Sequence, residues 1–289
     1  MKSLLILLLE ADILEGVLSW PIRELGAKIC FYRTDAHIKL YVEAHKPDVV
    51  LLDMPCGGDS MPVQETLAWL KQQCRSVRVV WDATDTPWHP YLEQYKSEGT
   101  FDLVLAADGA VEWPRRSCDV SMPTPVDPKW YDGLYLSRTI KLGFSGSCGT
   151  LGVRKDILGN LERDGTLTVR ARLPGATPYA ANADFYKQCH AVLNVAATSV
   201  SQRPQCKARA IEACLAGCLL FETRGSPLSN WLTPGVHYLE YSDPQEVRAA
   251  VNHPTFAEQC KEIGMEAQRR IMDLDLPTRF WSTVMGEQL

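Results

Sequence analysis

CKARAIEACLAGCLLFE, residues 206–222, opens on Lys207, Arg209 and Glu212, then turns small and apolar through Ala213, Ala216 and Gly217. The charged part reads as the start of a helix and the run 218–221 as a buried strand. A segment built for burial that begins with three charges has two readings. The charges hold a ligand, or they form a solvated helix end with an exposed Arg209–Glu212 pair, which share a face and would stabilise little. Lys207 and Arg209 lie in the first turn, where cations oppose the helix dipole at a cost of about a few tenths of a kcal/mol unless an anion is near. The unpaired N–H groups of a first turn favour such anions, phosphates included. Small residues let this helix sit close to a sheet, which brings its start to the strand ends.

The same alternation of apolar run and helical pattern extends through the chain. Apolar runs at 4–9, 27–32, 48–53, 77–81 and 101–106 are separated by helical patterns around 14–25, 36–45 and 63–73 and near Tyr91. Continuous rather than alternating apolar strands between helices predict a parallel sheet covered on both faces. PTPVDP, residues 123–128, then places three prolines in six residues and predicts a linker. The pattern restarts with a strand at 140–146, a helix near 153–161, strands at 167–171 and 191–195, the opening segment, and 236–241 before helices to the C-terminus. Two α/β units joined by a linker leave a cleft, and open α/β sheets bind ligands beyond the carboxyl ends of their strands.

The 289 residues are long enough for two domains, and 46% hydrophobic with 22% charged residues indicates a globular chain. A net charge of −5 gives no general pull toward nucleic acid or anionic membrane, though a local basic cleft is compatible with it. The opening MKSLLILLLEAD has too short an apolar core for a signal peptide and reads as a buried strand. Ten cysteines without a CxxC pair point to buried thiols in a reducing cytoplasm rather than to disulfides or a zinc site. No GxGxxG follows the first strand, which argues against a nicotinamide enzyme.

The pattern K-x-R-x-x-E-A-x-x-A-G at 207–217, followed by an apolar strand, resembles the nucleotide-binding segment of GT-B glycosyltransferases. Among them it resembles the branch containing spore-maturation CgeB-like proteins. IKLGFSGSCGTLGVRKDIL (140–158) is similar to the first strand, loop and helix of their C-terminal domain, and AVLNVAATS (191–199) to the strand before the donor helix. VVWDATDTP (79–87) and PTPVDPKWY (123–131) resemble an N-domain strand end and the interdomain linker. The resemblance implies two Rossmann-like domains whose parallel sheets face each other across a cleft. Residues 1–125 would be the acceptor side and 126–289 the nucleotide-sugar side, with the last helix crossing back. It implies a cytoplasmic, metal-independent, hexosyltransferase-type enzyme without cofactor, moving a sugar from a nucleotide-diphosphate donor, UDP-linked first of all, to a hydroxyl acceptor.

Carried over residue by residue, the resemblance has Glu212 accept the donor's ribose hydroxyls while Lys207 and Arg209 neutralise the diphosphate as it leaves. Ser145, Gly146 and Ser147 would offer backbone N–H groups and hydroxyls to the phosphates, assisted by Arg154, for which a solvated surface position is the alternative. Many retaining GT-B enzymes carry a second glutamate eight positions earlier, where this chain has Pro204, so the stereochemical course stays open. The one DxD match, Asp273-Leu274-Asp275, falls in a helical region and reads as chance. For an inverting reaction the candidate bases are Asp85 and His89, with Asp82, Asp53, Glu10 and Asp12 on neighbouring strand ends. Trp81, Trp88 and Tyr91 are candidates to stack on a sugar, or simply to pack the core. The acceptor is a glycan, a protein or a hydroxymethylated base of DNA, the last kept by the short basic stretches at 113–116 and 163–172. An epimerase of the same fold and a non-catalytic nucleotide-sugar or glycan-binding protein are the alternatives.

Overall fold

LLILL, the first strand, is buried at every position because its two sets of alternate side chains feed two different layers. Leu4, Ile6 and Leu8 enter one apolar cluster, and Leu5 and Leu7 enter another on the opposite face. In the computed structural model, which describes residues 2–9, 15–53, 62–81, 89–107, 118–132, 138–146, 152–171, 178–197 and 204–287, this pattern recurs along the sheet. The chain divides into two units, Met1–Asp127 with Pro277–Leu289, and Pro128–Leu276.

The first unit runs β1 (Leu4–Leu8), α1 (Glu15–Leu25), β2 (Lys28–Phe31), α2 (Asp35–His45), β3 (Val49–Leu52), α3 (Gln64–Gln73), β4 (Arg75–Val80), α4 (His89–Ser97), β5 (Leu103–Ala106) and β6 (Val120–Ser121). All its pairings are parallel, in the order β2-β1-β3-β4-β5-β6. Ile38 and Val42 of α2 and Leu67 and Leu70 of α3 cover one face. Val17 and Leu18 of α1 cover the other, together with Phe280, Trp281, Val284 and Met285 from the end of the chain. Trp81 is used in this core, stacked on Phe280 at 6.0 Å between ring centroids.

Two features depart from a plain apolar reading. The run 27–32 becomes the edge strand β2, whose Lys28 and Phe31 are exposed, because nothing pairs beyond it among the described residues. The proline segment is buried from 122 to 127, and it ends on Asp127, where the first unit gives way to the second. That fully buried carboxylate accepts from Arg23 Nη1 at 2.7 Å, Arg23 Nη2 at 3.2 Å and Ser19 Oγ at 2.7 Å, so α1 supplies its compensation.

The second unit begins with a 3-10 turn, Pro128–Tyr131, and continues β7 (Ile140–Gly146), α5 (Val153–Arg163), β8 (Thr168–Ala171), α6 (Tyr179–Lys187), β9 (Cys189–Leu193), α7 (Ala208–Leu215), β10 (Leu219–Thr223), β11 (Leu239–Tyr241), α8 (Pro244–Val251) and α9 (Phe256–Leu274), before α10 (Leu276–Met285). Its parallel sheet has the order β11-β10-β9-β7-β8. From β7 the chain moves outward to β8, and from β9 it moves the other way to β10 and β11. The neighbours β7 and β9 therefore flank a topological switch point, where the carboxyl ends of an open sheet leave a crevice. Gly264 lets α9 press on the turn after α7: a Cβ there would lie 2.4 Å from the Gly217 carbonyl oxygen.

Candidate functional site

Four elements bring polar side chains to the carboxyl ends of β7 and β9. Helix α7 starts after Lys207, an extended N-cap residue (φ −64, ψ 145) whose side chain makes no capping bond. Arg209 lies in its first turn, and its guanidinium runs back over the end of β7. Nε donates to the Ser145 carbonyl at 2.5 Å, Nη1 donates to Asn194 Oδ1 at 2.8 Å, and Cζ stands 4.1 Å above the Phe144 ring. Nη2 lies against Gly146: a Cβ built on that residue would fall 2.2 Å from it, and Gly146 has φ +143, where L side chains rarely sit. Glycine ends β7 because the arginine occupies the space a side chain would need.

Glu212 is not the exposed partner of Arg209. It is 4% exposed, and its carboxylate accepts from Tyr179 Oη at 2.8 Å and from Asn182 Nδ2 at 3.5 Å, both on α6. The reason is the packing of α7, whose residues from Ala210 to Leu215 are all buried, leaving no solvent face for an ion pair. Tyr179 also meets Tyr131 Oη at 3.1 Å, and burial first, then the Glu212 charge, pushes both phenols well above their ordinary range. They remain neutral donors at cellular pH. Asn182 in turn receives Ser145 Oγ on its Oδ1 at 2.5 Å. Ser145 thus offers its carbonyl to Arg209 and its hydroxyl to α6.

Arg154 is not a solvated surface residue. From the first turn of α5 it is partly buried and donates from Nη2 to the Ala197 carbonyl at 2.8 Å, tying α5 to the segment after β9. Pro204 pairs with the same Ala197 in an isolated antiparallel bridge. Asp273 and Leu274 close α9, and Asp275 is its left-handed C-cap, so this stretch serves helix termination. Arg163 and Arg170 donate to the carbonyls of Gly159 and Ala181. In the first unit Asp53 follows β3, 3.7 Å from the buried Arg78. Ser147, Asp85, Asp82, Trp88, Glu10, Asp12, residues 113–116 and Arg172 lie outside the described residues; His89 opens α4, with its side chain outside them.

Sequence reasoning missed Asn194, Glu222, Tyr179 and Asn182. Glu222 is fully buried and accepts from Asn194 Nδ2 at 2.7 Å, and burial pushes its carboxyl up to about 7. Asn194 and Glu222 each interrupt an apolar run, in AVLNV and LLFET, and that was the available signal.

A family model described as "Glycosyl transferase-like" matches residues 147–275, which include Lys207, Arg209, Glu212 and Glu222. No curated protein matches this chain by sequence. Solved structures match it over almost its whole length. The Anabaena HepE protein in complex with UDP and glucose has 12% identity and a TM-score of 0.63, covering 99% of this chain and 100% of its own. Sucrose-phosphate synthase from Thermosynechococcus elongatus has 10% identity and a TM-score of 0.60, with 99% of each chain covered. An alpha-glucosyltransferase in complex with UDP and a 13-mer DNA has 11% identity and a TM-score of 0.58, covering 99% and 100%. The fold is GT-B. At these identities the likeness establishes the architecture, two parallel α/β sheets of six and five strands, and the chemistry has to be argued from the residues. No described helix is long and apolar enough to cross a membrane.

Proposed function

We propose that this chain is a glycosyltransferase that binds a UDP-sugar at the carboxyl ends of β7 and β9 and passes the sugar to a hydroxyl acceptor. The observation that carries the reading is Arg209, held over Phe144 and against Gly146 at the switch point of the second sheet. A guanidinium fixed by a carbonyl, an amide and a ring is a preorganised cation, and its target is charge that grows during reaction. When the bond between the anomeric carbon and the donor's phosphate oxygen breaks, that charge appears on the leaving diphosphate. Lys207, one residue before the helix, adds a second cation, and the first-turn N–H groups of α7 add their dipoles. Glu212, oriented by Tyr179 and Asn182, accepts the ribose hydroxyls. Gly146 and Ser147 carry the phosphates, with Arg154 steadying the loop end.

In this reading the second unit is the nucleotide-sugar domain and the first the acceptor domain. The base that takes the acceptor's proton is Asp85 or His89, the chemistry needs no metal, and the resemblance of the 207–217 segment supports a relation to the CgeB-like branch. Support for UDP comes from relatives in fold that hold it, one of them beside DNA, which keeps a hydroxymethylated DNA base among the acceptors. Calorimetric titration with UDP, followed by incubation with radiolabelled UDP-sugars and candidate acceptors, tests the proposal. Transfer to an added acceptor, lost in Arg209→Ala, supports it. Isomerised donor would favour an epimerase, binding without turnover a binding protein, and no UDP binding would remove the reading altogether.

A further inference from the structure

Glu222, the fourth residue of β10, has no exposed surface and takes no part in the chemistry above. Its Oε1 accepts from the Thr223 backbone N–H at 2.9 Å and from Thr223 Oγ1 at 3.3 Å, and its Oε2 accepts from Asn194 Nδ2 at 2.7 Å. Asn194 is also fully buried, and its Oδ1 receives Arg209 Nη1 at 2.8 Å. Tyr241 Oη pins the Asn194 carbonyl at 2.8 Å. The orientation of the amide is dictated from both sides, because a guanidinium only donates and an ionised carboxylate only accepts. Turned over, the amide would set N–H against N–H at Arg209 and oxygen against oxygen at Glu222.

We propose that ionised Glu222 is a positioning residue for the diphosphate-binding cation: it turns the Asn194 amide so that Oδ1 holds Arg209, and its protonation releases that hold. The inference rests on the donor site proposed above and adds control of that site by proton uptake. A proton on Oε2 faces the Asn194 amide hydrogens, and relief comes from turning the amide, which then presents hydrogens to Arg209. Burial, opposed by the bonds from Asn194 and Thr223 and by the field of Arg209, brings the carboxyl up to about 7, inside the cellular range. The charged and titratable groups that face Glu222 are Arg209 and Cys214 on α7 and Tyr238 and Tyr241 beside and within β11, while α9 brings Cys260 to the turn before β10. Burial raises the pKa of each of these thiols and phenols, so they stay neutral while Glu222 titrates.

The test uses the full chain with 15N-labelled arginine, the Arg209 Nε–H signal being assigned from its loss in Arg209→Lys. In the wild type that signal should titrate with a midpoint near neutrality, and in Glu222→Gln it should not move. UDP affinity, measured by calorimetry, should fall about tenfold more on acidification in the wild type than in Glu222→Gln. The comparison between the two proteins cancels the ionisation of the UDP phosphate itself, which also lies near pH 6. An Arg209 signal that ignores pH, or that titrates equally in Glu222→Gln, overturns the proposal. Should the variant not fold, the wild-type titration alone decides in the same way. A titrating signal in a protein that binds no UDP at any pH supports the relay and overturns the donor reading.

Discussion

Replacing Glu212 by glutamine separates a ligand-binding carboxylate from a structural one. The side chain keeps its size, and its remaining oxygen still accepts from Tyr179 Oη, now 2.8 Å from the carboxylate. What is lost is the charge on that bond, and the new amide nitrogen faces Asn182 Nδ2, 3.5 Å from Glu212 Oε2. A charge-assisted bond is worth about 1.5–3 kcal/mol and a neutral one about 1, so stability should fall by about 1–2 kcal/mol. In a domain of this size that lowers Tm by about 2–8 °C. An exposed ion pair, the alternative at the level of sequence, would have left Tm almost unchanged. If the same carboxylate holds ribose hydroxyls, UDP affinity should drop about ten- to a hundredfold as well. Tyr179→Phe is the comparison: it removes one of the carboxylate's donors but keeps its charge, so it should cost about 1–3 kcal/mol of stability while UDP affinity falls less than in Glu212→Gln. Urea denaturation and calorimetric titration of the three proteins give both numbers. Glu212→Gln that is destabilised yet binds UDP normally would make Glu212 a purely structural residue and refute its role at the ribose.

Three further outcomes follow from the same geometry. Gly146→Ala must fit a Cβ 2.2 Å from Arg209 Nη2 at φ +143, so we expect about 1–3 kcal/mol of destabilisation and weakened UDP binding, read by denaturation and calorimetry. Gly264→Ala would ordinarily favour a helix by about 1 kcal/mol, but here the methyl meets the Gly217 carbonyl at 2.4 Å. That contact is backbone and cannot swing away, so a net loss of about 1–3 kcal/mol is expected, and a raised Tm would contradict the packing of α9. Glu222 predicts a pH slope. Its carboxyl moves from an ordinary pKa of 4.5 to about 7 on folding, so between these pH values the folded state holds more protons and stability falls as pH rises. The difference of about 2.5 units amounts to about 3 kcal/mol, fully lost above pH 7. The stability gap between wild type and Glu222→Gln should shift by about that amount between pH 5 and pH 8, and a constant gap would refute the charge state assigned to Glu222.

The parts of the fold that could be read in advance are those in which one short segment states its own surroundings. LLILL and LVLA are apolar at both periods of two, and a strand with two apolar faces is a covered parallel strand. AKICFY reads the same way, yet its place at the edge depends on which other strand the chain supplies beyond it, and no segment carries that information. Val120–Ser121 is too short for any period, and it exists only because β5 offers a free edge. The destination of Arg209 was hidden for a related reason. Helical spacing puts Arg209 and Glu212 on one face, but whether that face meets solvent depends on Ser145 and Asn194, contributed from 64 and 15 residues away in sequence.

A clue to the burial of Glu212 was nevertheless present. Ala210, Ile211, Ala213, Cys214 and Leu215 are apolar on both sides of Glu212 in sequence, and a helix apolar over most of its surface is enclosed. An acid inside it must then be paired within the protein, because an unpaired buried charge costs far more than a helix this short can return. The same reasoning applies to the strands. Asn194 follows a buried run of β9 and Glu222 nearly ends the buried run of β10, and these two strands are neighbours. A polar group at the carboxyl end of a covered parallel strand has to find a partner at that level of the sheet. When the adjacent strand carries its complement at the same level, the two define each other's orientation, and whatever they jointly hold is held with one geometry. Here that third group is Arg209, which is why a single proton on Glu222 is expected to be felt by a cation it does not touch.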